Sequence, residues 1–206
     1  MFSPQRNDGL TVVKILVGAN TLLFFLVSMQ ADGLQRWIRA TFGLSWPGLQ
    51  DGMLWQLLSY QFLHDSLLHL IVNMLGLWFA GKILEGLMGR WLFLTFYLTC
   101  GAVGGILQLL LSGGTLLIGA SGSVFGVVCA FAALFPEMPI RALIFFVIPV
   151  NLKAKWLGRG LVAISLFFAV TGLGGNVGHA AHLGGALTGY AWVFLGRRKH
   201  LRVFRR

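Results

Sequence analysis

Six stretches of this chain are apolar for long enough to cross a lipid bilayer, and that one feature limits the folds open to its 206 residues. Crossing the hydrocarbon core takes about 20 apolar residues. The runs at roughly 10–30, 58–80, 90–112, 119–135, 159–173 and 178–196 meet this need, the fourth and fifth being short enough to require shelter inside a bundle. Charged residues make up 11% of the chain, against about 25% in soluble domains, too few to cover it in water. The expectation is an all-α membrane protein, one six-transmembrane-helix domain over 1–206. The stretch 140–150 is apolar but short and holds Pro149, so it is expected to be an interfacial or re-entrant piece and not a seventh span. The first run lacks an A-x-A cleavage pattern after it and reads as a retained span, not a signal peptide.

The net charge of +10 has a pattern that fixes orientation. With both termini inside, fourteen of the sixteen Lys and Arg residues fall on the cytoplasmic side, including those of the basic tail 197–206; Arg36 and Arg39 alone fall outside. Cations placed between apolar runs and at one end fit an anionic membrane surface, and nucleic acid is not expected as a partner. Cys100 and Cys129 sit within apolar runs and read as small core residues. The outer loop at 31–57 carries Leu44, Trp37, Trp46 and Trp55, which suit either a half-inserted lateral loop or an ordinary surface loop.

Polar side chains inside spans are costly and each needs a reason. His64, His69 and Asn73 fall in span two, Ser121 and Ser123 in span four, and His179 and His182 in span six. All three spans run from outside to inside, and the polar groups lie in the outer portion of each, so they can meet at one depth. In HDSLLHLIVNML, His69 and Asn73 are four apart and share a helical face; an interhelical hydrogen-bonding pair would need the same spacing. In GASGSVFG, Ser121 opens a helix where free backbone N–H groups point outward, which suits a nucleophile. This is not the G-x-S-x-G elbow, and Gly122 with Gly126 equally makes a small-residue packing surface. In GHAAHLGGALTGY, His182, Gly185 and Gly189 form one stripe, along which a neighbouring backbone can approach and bring the imidazole into reach as a general base.

Together these pieces resemble the rhomboid family of intramembrane serine proteases over about residues 50–195. The matching residues are His64, His69 and Asn73 in HDSLLHLIVN, the serine of GASGSVFG, the histidine of AHLGGALTG, and Gly81 and Glu85 in GKILEG. The resemblance implies that Ser121 is the nucleophile and His182 the base, with no acidic third member. None of the six acidic residues lies in spans four to six, in keeping with that. It also implies that His69 and Asn73 assist the backbone N–H of Ser121 in stabilising an oxyanion. Gly119, Gly122, Phe125, Gly185, Gly189 and His64 would support and pack the site. His182 is preferred to His179 because it holds the AHLGG position. Two departures stand out: Trp55-Gln56 replaces a Trp-Arg pair, which puts the anchoring of the first outer loop in doubt, and Phe125 stands where the family often has Tyr.

The implied partners are transmembrane protein substrates and the bilayer, with no cofactor or metal. Three other readings compete. A transporter or proton channel would also line a path with histidines and a serine. A metalloenzyme could gather His64, His69, His179 and His182, though H-E-x-x-H is lacking. A non-catalytic binder of membrane proteins would not need both Ser121 and His182. A six-span chain with no appended soluble domain is expected in a prokaryotic plasma membrane. The sequence leaves the oligomeric state open.

Overall fold

The computed structural model describes residues 11–112, 116–144, 148–175 and 177–199. The basic tail expected at 197–206 therefore falls outside the described residues from 200 onward, as does residue 10 of the first run.

Helix α1 (Val12–Ser28) starts at a double cap: the Thr11 hydroxyl accepts from the Lys14 N–H at 3.3 Å, and the Glu85 carboxylate takes the N–H groups of Val12 and Val13 at 2.7 and 2.9 Å. Next comes α2 (Asp32–Phe42), which has no buried residue and exposes Leu34, Trp37 and Phe42. Such a surface fits the half-inserted form of the 31–57 loop, because the three side chains would otherwise face water.

The rest of that loop is tied down. Ser45 caps α3 (Trp46–Gln50) by accepting from Gly48 N–H at 3.2 Å. Gln56 opens α4 (Gln56–Ser59) and is fully buried: its Oε1 accepts from Ser45 N–H at 3.1 Å, and its Nε2 donates to the Ala40 and Thr41 carbonyls at 3.0 and 3.3 Å. Trp55 donates to Thr41 as well, at 2.9 Å. The doubt raised by Trp55-Gln56 is thus answered by geometry, since the amide of Gln56 supplies both donor and acceptor to the loop.

A 3-10 turn, Tyr60–Phe62, follows, and the second long helix runs as α5 (Leu67–Gly76), a wider π-type turn (Leu77–Gly81) and α6 (Lys82–Met88). Its 22 residues occupy Leu67–Met88, where the sequence reading placed span two at 58–80. Ser66 sets the start by accepting from His69 N–H at 3.2 Å, a capping bond that an apolar-run count does not register. His64 therefore precedes the helix and does not belong to it.

Helix α7 (Arg90–Ser112) coincides with the third run, and α8 (Ser121–Leu134) with most of the fourth. The described residues of the stretch 140–150 lie in strands: β1 (Pro139–Ile144) and β2 (Ile148–Lys153) pair antiparallel, with Arg141 opposite Asn151 and Pro139 opposite Lys153. Helix α9 (Ala154–Thr171) begins five residues before the expected 159, directly after the hairpin, and α10 (His179–Lys199) closes the described chain.

Among the described residues three helices, Leu67–Met88, Arg90–Leu111 and Ala154–Thr171, are long and apolar enough to cross a membrane; α1 and α8 are shorter apolar helices. Helix α8 lies at the centre, buried from Gly122 to Ala132 apart from Phe125, with α7 and α10 against it. Glycine sets this spacing. A Cβ at Gly185 would collide with the carbonyl of Gly122, and one at Gly189 with that of Gly126, so α10 touches α8 backbone to backbone. By contrast, α9 buries only Ala154, Gly158 and Ser165 and turns most of its surface outward.

Candidate active site

The approach to α8 decides where Ser121 stands. Leu44 and Leu117 exchange both backbone hydrogen bonds at 2.9 Å, which fastens the 31–57 loop to the segment leading into the helix. Gly119 then donates to the Tyr60 carbonyl at 2.9 Å and turns with φ +126°, a conformation that excludes a side chain. Its bare face is in use: a Cβ there would lie 2.7 Å from Cε1 of His69. The chain then enters α8 at Ser121, so the hydroxyl sits at the helix N-terminus beside first-turn N–H groups that have no helical acceptor.

The base arrives from α10. Nε2 of His182 is 2.9 Å from Oγ of Ser121, and the ring stacks on Phe125 with centroids 4.1 Å apart and planes 12° from parallel. Phe125 is one helical turn after Ser121, so the serine and the platform for the imidazole come from one face of α8. On its other side, the ring of His179 stands perpendicular to His182 at 5.5 Å and stacks on Phe168 of α9 at 5.0 Å. The Gly185 and Gly189 contacts bring α10 close enough for the hydrogen bond to form.

The residues from α5 lie beside this pair. Asn73 is buried and donates through Nδ2 to the His69 carbonyl at 2.8 Å, one turn back in its own helix. His69 stands against Gly119, with its Nδ1 4.0 Å from the Asp65 carboxylate. His64 is buried and packs its ring against His69 with centroids 5.0 Å apart. Ser123 points away from the site, donating to Oε1 of Gln61 at 2.7 Å. Among the described residues, no three His, Cys, Asp or Glu side chains are gathered as a metal-ligand set.

Sequence reasoning missed several supporting groups. Gln108 of α7 reaches across to accept the Ala181 N–H at 3.1 Å, capping the turn of α10 that carries His182. Tyr60 donates to the Gly101 carbonyl at 2.6 Å while its own carbonyl holds Gly119. A lone polar residue in an apolar run was the available signal for Gln108; nothing in the spacing points to Tyr60. The Asp65–His69 pair is four residues apart, a spacing visible in the sequence.

In this arrangement a hydroxyl and an imidazole share a hydrogen bond, with backbone donors alongside and the base held by ring stacking in place of a carboxylate. The Rhomboid domain family model matches residues 51–199. The chain is 28% identical over 186 residues to rhomboid protease GluP of Bacillus subtilis, covering 90% of this chain and 34% of that protein. It is 30% identical over 194 residues to the mitochondrial presenilin-associated rhomboid-like protein A of Danio rerio, covering 92% and 49%. To rhomboid protease GlpG of Serratia proteamaculans it is 32% identical over 163 residues, covering 75% and 53%. The chain thus spans between a third and about half of these relatives' lengths. Matched over most of its length, from residue 51 through the helix that bears His182, this integral membrane protein belongs to the rhomboid family.

Proposed function

We propose that the protein is an intramembrane serine endopeptidase that cleaves transmembrane segments of other membrane proteins, with Ser121 as nucleophile and His182 as base. The observation that carries this reading is the 2.9 Å contact between Nε2 of His182 and Oγ of Ser121, on a ring stacked against Phe125. The names of the two bacterial relatives, both called rhomboid protease, support the class of reaction.

In the first step Oγ of Ser121 attacks the substrate carbonyl carbon and its proton passes to Nε2 of His182, which requires the tautomer protonated at Nδ1. Collapse of the tetrahedral species breaks the C–N bond, and the imidazolium returns its proton to the leaving amine. Water, deprotonated by the same nitrogen, then attacks the acyl carbon; collapse breaks the C–Oγ bond, and the imidazolium returns its proton to Oγ of Ser121 as the carboxyl product leaves. The negative oxygen of each tetrahedral species faces the N–H of Ser121, with His69 and Asn73 as further donors. Asn73 would leave its bond to the His69 carbonyl to serve there. Each such donor contributes about 3 kcal/mol in the transition state, so Asn73→Ala should slow cleavage by about two orders of magnitude, whereas Ser121→Ala abolishes it.

Six spans with both termini on the cytoplasmic side of a prokaryotic plasma membrane would set the site toward the outer face, and the charge asymmetry of the chain supports that orientation. A substrate helix hides its peptide bonds, so small or helix-weakening residues near the cut would favour cleavage. The test is labelling by a fluorophosphonate probe in mild detergent, wild type beside Ser121→Ala and His182→Ala. Labelling that requires both residues is the expected result. Labelling of Ser121→Ala, or none of the folded wild type, would overturn the proposal in favour of a transporter or a non-catalytic binder.

A further inference from the structure

The segment joining α8 to α9 concentrates charge in a way the proposed chemistry does not use. Between Pro136 and Arg159 there are four cations, Arg141, Lys153, Lys155 and Arg159, and one acid, Glu137. The hairpin sorts its residues by face: at its base Ile140, Val150 and Leu152 are half-buried, while Pro139, Arg141, Asn151 and Lys153 are exposed. Ile140 packs on the main apolar core. Arg141 faces Asn151 across the ladder and lies diagonal to Lys153 on the outward side.

The remaining cations are gathered around one exposed indole. Lys155 Nζ and Arg159 Cζ lie 5.9 and 5.1 Å from the ring centre of Trp156, which is 56% exposed. Lys153 and Lys155 both pair with the Glu137 carboxylate, Lys153 at 2.7 Å, and hold its carboxyl down to about 2. Two ammonium groups with three donors each thus share a single acid, leaving donors for an outside anion.

The position of this cluster says what that anion is. Helix α9 has 18 residues and so is about 27 Å long, close to the thickness of a hydrocarbon core. Its flank is apolar and outward, with Ile164, Phe167 and Val170 all more than half exposed. A helix so exposed is surrounded by acyl chains, which puts its first turn at the headgroup boundary, where Trp is favoured. Phosphate groups of the bilayer lie at that level. We propose that the outward face of the β1–β2 hairpin and the first turns of α9 bind the phosphate of an anionic phospholipid, with Arg141, Lys153, Lys155 and Arg159 as its cations and Trp156 as the interfacial anchor.

The test uses the whole protein in nanodiscs of three parts phosphatidylcholine to one part phosphatidylglycerol, with spin-labelled phosphatidylglycerol or phosphatidylcholine as probe. The wild type is expected to immobilise the anionic probe in preference to the neutral one. The variant R141Q/K153Q/K155Q/R159Q should lose at least about tenfold of that preference, since each cation near an anionic surface contributes about fivefold. Arg36→Gln, on the outer loop, should leave it unchanged. Glu137→Gln frees both lysines and should raise it, which keeps the proposal testable if the fourfold variant fails to insert. An unchanged preference in the fourfold variant, or a lowered one in Glu137→Gln, overturns the proposal. Displacement of the anionic probe by millimolar inorganic phosphate also overturns it, because the site would then be one for a free anion.

Discussion

Glu85 ties the C-terminal end of the second long helix to the start of the first, and its removal gives the sharpest test of how the bundle is held. Its two carboxylate oxygens accept the N–H groups of Val12 and Val13 at 2.7 and 2.9 Å, across more than seventy residues of sequence. The carboxylate is 8% exposed, and the two valines are 7% and 0% exposed, so water cannot readily replace it. A hydrogen bond to a charged group is worth about 1.5–3 kcal/mol, and a carboxylate at a partly buried helix N-terminus up to about 2 kcal/mol. These contributions overlap, so Glu85→Ala should cost about 3–5 kcal/mol. Glu85→Gln keeps one acceptor but turns an NH2 toward the second amide, and should cost about 2–3 kcal/mol. Sixteen residues of mostly α-helical rise, about 24 Å, separate Glu85 from His69, so the nucleophile should be undisturbed well below the unfolding midpoint. The assay is unfolding by a denaturing detergent titrated into mild micelles, read by tryptophan fluorescence, with fluorophosphonate labelling rates measured in parallel. A Glu85→Gln variant within 0.5 kcal/mol of wild type, about the scatter of a neutral surface change, would refute the capping argument. So would a loss of labelling at full fold content.

The remaining variants probe the site and its loop. Gly185→Ala drives a methyl group into the Gly122 carbonyl and should separate α10 from α8; overpacking of this kind costs about 1–3 kcal/mol, and labelling of Ser121 should fall with it. Phe125→Ala removes the stack under His182, worth about 0.5–1.5 kcal/mol, so kcat should drop about threefold to tenfold with KM unchanged, while Phe125→Tyr retains the rate. Gln56→Ala leaves the Ala40 carbonyl and Ser45 N–H without their partner. Hydrogen exchange should then speed up at Ser45 N–H, and stability should fall by about 2–3 kcal/mol.

The helical runs were readable because lipid favours long apolar stretches, although among the described residues three helices, and not all six expected runs, are long and apolar enough to cross a membrane. Their edges were less readable because capping sets them, not hydropathy. Ser66 moves the start of the second helix past His64, and the hairpin brings Ala154 into α9 before the apolar run begins. The hairpin itself was hidden because a short apolar stretch has the same composition whether it is a strand or a helix, and only pairing across the turn decides. At the site, Ser121 and His182 were legible from polarity inside apolar spans. Gln108 and Tyr60 were not, because their roles rest on backbone groups that come near them only in the folded chain.

Among the described residues no acid pairs with His182, which makes packing part of the proposed catalytic device. In a soluble triad the carboxylate fixes the imidazole's tautomer and angle. Here, among the described residues, the ring is bounded by Phe125 on one face, by His179 at right angles, and by Oγ of Ser121 at Nε2. A charged partner would be expensive beside so buried a ring, and a stacked ring carries no such desolvation cost. The restraint is then only as good as the distance between α8 and α10, which Gly185 and Gly189 set by backbone contact. Each glycine therefore acts on the base through geometry, as the carboxylate does through charge. Gly185→Ala should accordingly weaken labelling of Ser121 more than Phe125→Ala does, although of the two residues it is Phe125 that stacks on the imidazole.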